Sequence, residues 1–164
     1  MGKCLQFDKN HIAIYQSKIG IIKIEYIEEC LVSLKMIEES SDLLGERDGF
    51  SDLVFKQVEE YLEGTRMKFT VPFQLQGTAF QVRVWEELCN IPYGETRTYK
   101  EIARAVGNEK ASRAIGMANH HNPIWLVVPC HRVIGSNGKL VGYAGGISIK
   151  EQLIAMEQEH RNIR

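Results

Sequence analysis

The four cysteines of this 164-residue chain, Cys4, Cys30, Cys89 and Cys130, are widely spaced and form no CxxC pair. That excludes the dithiol redox motif and the compact zinc-finger patterns, and Cys4, His11 and Cys30 match no short ligand spacing. A chain this long can bury a core without covalent staples, so no disulfide framework is expected. The expectation is a reduced, cytoplasmic protein with no metal and no cofactor. No apolar run is long enough to cross a bilayer, and residues 1–8 lack a secretory apolar segment. There is no internal repeat and no low-complexity tract. Net charge is also scarce, at −1.

That small net charge hides an asymmetry. Residues 1–72 carry 9 basic and 13 acidic side chains, whereas residues 73–164 carry 11 and 8. His120, His121, His131 and His160 also lie in the second part. A mildly basic half is compatible with a polyanionic partner, and equally with an ordinary solvated surface.

The first part reads as strands followed by a helix. Residues 11–15, 20–26 and 30–37 are rich in β-branched residues and partly alternate. Residues 51–62 repeat Val54, Val58, Tyr61 and Leu62 at helical spacing, with Ser51 as cap and Gly64 as stop. A short strand is expected over 67–73, and a domain boundary at 76/77. This gives an α/β domain over 1–76 and a mainly helical domain over 77–164.

Helix starts in the second part are well marked. Thr78 with Gln81, and Thr98 with Glu101, have capping-box form. The first box precedes Phe80, Val84 and Leu88, and that helix ends before the loop 91–94. The second opens a helix carrying Ile102, Ala103 and Val106 inward and stopping at Gly107. A further helix is expected over 109–118, which gives the pair a helix-turn-helix form. Arg97, Lys100, Arg104, Lys110 and Arg113 surround that pair, and its second helix is built of Ala111, Ser112, Ala114, Gly116 and Ala118. Small side chains let a helix approach a nucleic-acid groove, or let two helices pack tightly. At this point both readings stand.

The apolar run 124–128 reads as a buried strand that ends at Pro129, Cys130, His131, Arg132 and Val133. Proline lacks an N–H and closes the ladder, which leaves Cys130 where a strand gives way to a turn. A thiol beside a histidine is a candidate nucleophile, and a buried cysteine is also a common packing residue.

These residues together resemble the O6-alkylguanine-DNA alkyltransferases, also called methylated-DNA–protein-cysteine methyltransferases. The likeness runs in order through Phe80-Gln81, Val84-Trp85, residues 91–96, Tyr99, Arg113 to Gly116, Asn122-Pro123, residues 128–135, residues 142–146, Lys150 and Glu157. It covers nearly all of residues 73–157. Over 1–72 it is one of general form. The fold implied is an N-terminal α/β domain with a ribonuclease-like sheet, followed by a mainly α, winged-helix-like C-terminal domain.

The resemblance also implies a chemistry. The partner is double-stranded DNA containing O6-alkylguanine, and O4-alkylthymine is left open. The damaged base is extruded, because a thiol cannot reach an atom held in the stack. Its alkyl group passes irreversibly to Cys130, once per molecule. His131 is the base, acting through a water, and Glu157 orients it. Arg113 enters the stack, with Ala114, Gly116 and Lys110 beside it on the DNA face. Tyr99 presses on the phosphate and can hand a proton to the leaving guanine, and Asn122 braces the turn before Cys130. Tyr143, Ala144, Gly145, Gly146 and Val133 form the base pocket. Ala144 stands where some members have serine, which removes one hydrogen bond to the base. Two other readings remain: a sensor that binds alkylated guanine without accepting the group, in which the cysteine is commonly replaced by tryptophan, and a Cys-His hydrolase. A monomer is expected.

Overall fold

The computed structural model describes residues 9–38 and 45–163. They form two compact units. The first comprises the described residues up to Gln76 together with Pro123–Trp125, and the second comprises Gly77–Asn122 with the chain from Leu126 onward.

The first unit is a three-stranded antiparallel sheet, β1 (His11–Ser17), β2 (Gly20–Ile27) and β3 (Cys30–Ile37), in that spatial order. Alternation buries Ala13, Tyr15, Ile22, Ile24 and Tyr26. A register shift between Glu25 and Tyr26 leaves Val32 as an extra residue, so Leu31 and Val32 are both buried in succession. Helix α1 (Gly49–Leu62) covers the sheet with Phe50, Val54, Val58 and Tyr61. Its cap is Asp48 rather than Ser51. Ser51 is the reciprocal partner, accepting from the Asp48 N–H at 2.9 Å while its own N–H donates to Asp48 Oδ1 at 2.9 Å.

Two extended segments expected from the sequence do not form strands. Over 67–73 only Phe73 bridges Leu31, because Pro72 has no N–H to extend the ladder. Residues 124–128 are buried but irregular: Ile124 bridges Leu34, and Leu126 turns the chain at φ 70°. Among the described residues Cys89 and Cys130 are free. His11 pairs with Glu46 at 2.8 Å, and Cys4 lies outside the described residues.

The second unit contains α2 (Ala79–Cys89), β4 (Arg97–Thr98), α3 (Tyr99–Ala105), α4 (Ser112–His120), β5 (Val133–Ile134) and α5 (Ile147–Ile163). Both capping boxes are present, with Thr78 and Gln81 opening α2 and Thr98 and Glu101 opening α3. Trp85 fixes α2 against α4 by donating its indole N–H to the Ala118 carbonyl at 2.8 Å. Helix α4 starts three residues later than its composition suggests. Asn108 Oδ1 accepts the Lys110 N–H at 3.2 Å, and Asn108 O accepts the Ala111 N–H at 3.0 Å, so residues 108–111 turn before the helix begins. Strands β4 and β5 pair in parallel, Arg97 opposite Val133 and Thr98 opposite Ile134. Among the described residues no helix is long and apolar enough to cross a membrane.

Candidate active site

Cys130 opens a single 3₁₀ turn, Cys130–Arg132, that follows Pro129 and leads into β5. It is only 4% exposed. Extended chain would send Cys130 and His131 to opposite sides, but a 3₁₀ turn does not alternate in that way. The Asn122 amide lies beneath this turn. It is fully buried, donates to the Val128 carbonyl at 2.8 Å and also hydrogen-bonds the thiol. The Asn122 backbone N–H donates to Asn119 O at 3.1 Å, so α4 and the thiol turn are tied through one residue.

Burial pushes the Cys130 thiol up to about 11, against the pull of the Asn122 amide and the Lys150 ammonium. At neutral pH the resting thiol therefore keeps its proton. Lys150 is fully buried on α5 and donates to the Val141 carbonyl at 3.0 Å. Burial lowers its pKa, and the nearby Cys130 charge opposes that shift. The Cys130 charge also acts on Tyr99 and Tyr143. Burial first, and then the Cys130 charge, hold Tyr143 well above the ordinary tyrosine value and raise Tyr99.

Behind the thiol turn lies a buried ion cluster. The Glu157 carboxylate accepts from His131 Nε2 at 2.8 Å, from Arg132 Nε at 2.8 Å and Arg132 Nη2 at 2.8 Å, and from the Gly94 N–H at 3.1 Å. Arg132 also donates to the Ile91 carbonyl at 2.7 Å. Burial by itself pushes the carboxyl up, but the hydrogen bonds from His131 and Arg132 win and hold Glu157 at about 2. Burial lowers the His131 pKa in spite of Glu157. The ring is thus neutral at physiological pH, with its Nε2–H on the carboxylate. Nδ1 is then its basic nitrogen.

Both shifts act on stability in one direction. An unfolded chain takes up a proton at histidine below about 6.5 and at glutamate below about 4.3, before the folded groups do. The cluster's contribution is complete above pH 6.5 and is lost as pH falls toward 2. Thermal melts should show a falling midpoint over that window, with a shallower fall in Glu157→Leu. An equal slope in both proteins would show that the cluster does not govern acid lability.

The remaining expected residues divide into two groups. Tyr99, Arg113 and Gly116 line one cavity of about 690 Å³ with Ser112, Met117 and Val141. Arg113 and Ala114 are exposed on α4, and Lys110 is exposed in the turn before it. A Cβ built at Gly116 would come no closer than 3.8 Å, to the Tyr99 ring, so packing within the chain does not demand glycine there. Val133 is fully buried on β5. Tyr143 and Gly145 are half-buried and Ala144 and Gly146 exposed, in a turn closed by the Gly146 N–H donating to Tyr143 O at 2.9 Å. Glu157 lies within α5, which continues to Ile163.

Arg132, Lys150 and Asn119 were not assigned roles from sequence. A signal existed for Lys150: Lys150, Leu153 and Glu157 lie at i, i+3 and i+7, a buried helical stripe with two charges in it.

Residues 79–159 match the 6-O-methylguanine DNA methyltransferase DNA-binding domain, and residues 10–75 match that family's ribonuclease-like domain. The chain belongs to the 6-O-methylguanine DNA methyltransferase family. It is 47% identical over 152 residues to the methylated-DNA–protein-cysteine methyltransferase of Methanosarcina acetivorans, covering 90% of this chain and 97% of the relative. Among solved structures it is similar to the O6-methylguanine methyltransferase of Mycobacterium tuberculosis, with a TM-score of 0.84, 41% identity, and 93% and 94% of the two chains covered. The DNA complex of the M. tuberculosis protein matches with a TM-score of 0.82 at 43% identity, covering 92% and 94%. Membership in the methyltransferase family makes this a DNA-repair protein with DNA as its partner. It also makes the two domains a ribonuclease-like sheet domain and a helical DNA-binding domain.

Proposed function

We propose that this protein binds double-stranded DNA containing O6-alkylguanine and moves the alkyl group irreversibly onto Cys130, each molecule acting once. The reading rests chiefly on one arrangement: a buried thiol backed by a neutral His131 ring on the Glu157 carboxylate, in the domain that bears the exposed Arg113 helix. Arg113 enters the stack as the damaged base leaves it. Ala114 and Gly116 let α4 approach the groove, and Lys110 meets the backbone. Tyr143, Ala144, Gly145, Gly146 and Val133 receive the base.

The chemistry is a displacement at the alkyl carbon. His131 Nδ1 takes the thiol proton through a water, with Glu157 holding the ring and sharing the positive charge. Lys150 and Asn122 favour the thiolate that burial disfavours. The sulfur–carbon bond forms as the carbon–O6 bond breaks, and the electron pair departs on guanine. Tyr99 supplies a proton to that leaving base. A thioether is a poor leaving group, so nothing regenerates the thiol. Residues 77–164 form the domain that carries DNA binding and alkyl acceptance, after the α/β domain of residues 1–76. Every group in this sequence of steps comes from one chain, which suits a cytoplasmic monomer.

Incubation with a duplex bearing one O6-methylguanine, followed by digestion and peptide mass measurement, tests the reading. One methyl on Cys130 per guanine restored is the expected result. Tight binding with an unmodified thiol would identify a sensor, and repeated turnover of an acyl substrate a hydrolase.

A further inference from the structure

Asn119, in the last turn of α4, is 5% exposed, and neither its amide oxygen nor its amide nitrogen has a hydrogen-bond partner. An unpaired buried amide is costly, so a native site that keeps one invites an explanation in function. Its backbone is fixed: the Asn119 carbonyl receives the Asn122 N–H at 3.1 Å, beside the residue that holds the Cys130 turn. One turn earlier on α4, Gly116 lies against the Tyr99 ring. The Tyr99 hydroxyl donates to the Val141 carbonyl at 3.1 Å in the resting protein.

A phenol that gives up its proton becomes a phenolate, and inside a protein that charge needs a donor. We infer that Asn119 is a positioning residue for Tyr99, its Nδ2–H engaging the phenol oxygen as Tyr99 passes its proton to the departing guanine. The inference rests on Tyr99 as the proton donor. Charge and protons balance. Tyr99 leaves the Val141 carbonyl and protonates the base, whose electron pair came from the broken carbon–O6 bond. The thiol proton rests on His131, and the phenolate recovers a proton from solvent when guanine departs. Asn119 also works against the upward shift that burial and the Cys130 charge impose on the Tyr99 hydroxyl.

Single-turnover rates with free O6-benzylated purines, whose leaving bases span a range of basicity, test this in four proteins: wild type, Asn119→Leu, Tyr99→Phe and the double variant. Asn119→Leu should be about tenfold to a hundredfold slower, as for loss of a charge-assisted hydrogen bond. Its rate should also depend more steeply on leaving-base basicity than that of wild type. In the Tyr99→Phe background the same substitution should change neither rate nor slope. Equal slowing in both backgrounds, or an unchanged slope, would make Asn119 a packing residue only. A Tyr99→Phe protein as fast as wild type would instead remove Tyr99 as donor, and this inference with it. Asn119→Ala is the second variant, read in the same way, should leucine disturb folding.

Discussion

Glu157→Gln is expected to cut the single-turnover rate of alkyl transfer by about 10²- to 10⁴-fold, the usual range for losing a general base. Loss of charge is only part of the reason. Arg132 has donors and no acceptor, so it claims the one oxygen of the new amide. The amide NH₂ then faces His131 Nε2, where the carboxylate oxygen now stands at 2.8 Å. A nitrogen met by a donor must present its lone pair, which sends the ring proton to Nδ1 and removes the base toward Cys130. Stability falls as well, because the Arg132 guanidinium stays buried without a countercharge, a situation that costs about 3–5 kcal/mol. DNA affinity should persist, since Arg113 and Lys110 are on other elements of the domain. Rapid-quench kinetics, denaturant titration and a binding isotherm separate the three effects. An unchanged rate would reduce Glu157 to a structural anchor for Arg132.

Much of this architecture is local and was therefore legible. The starts of α2 and α3 follow from capping boxes, in which two residues three apart satisfy each other's backbone donors. Strand alternation marks the sheet, although β1 and β2 run slightly beyond the segments expected. The misreadings have physical causes too. A buried apolar run such as 124–128 has the composition of a strand, but burial does not fix φ, and Leu126 takes a left-handed turn there. The Asn108 side chain competes with the first turn of α4, which periodicity does not detect.

The site was legible in its parts and less so in its connections. Cys130, His131 and Glu157 could be named, but the bidentate grip of Arg132 on Glu157 joins residues 25 apart through folding alone. The parallel pairing of β4 with β5 spans two residues on each strand and has no sequence signature. A buried, unpartnered Asn119 is visible only once the neighbours are in place.

Arg113→Ala should separate substrates instead of slowing all of them. Its side chain is exposed on α4, beside Ala114 and the cavity lined by Tyr99 and Gly116, and it is remote in sequence from the Glu157 cluster. Nothing in the thiol's surroundings depends on it: Cys130 answers to Asn122 and Lys150. Reaction with free O6-benzylguanine, which needs no extrusion, should therefore proceed at close to the wild-type rate. A base in a duplex differs, because leaving the stack costs a few kcal/mol and the vacancy must be filled for the extruded state to persist. Each 1.4 kcal/mol is a tenfold change, so repair of an O6-methylguanine duplex should slow by about 10²-fold or more. Binding to undamaged duplex should weaken far less, by about the worth of one phosphate-side charge. Arg113→Lys should recover that charge-dependent affinity without the full repair rate, because a flexible ammonium lacks the flat guanidinium that can stack between bases. Equal losses on duplex and free base would assign Arg113 to the chemistry and not to extrusion. A loss confined to undamaged-DNA affinity would make it one phosphate contact among several.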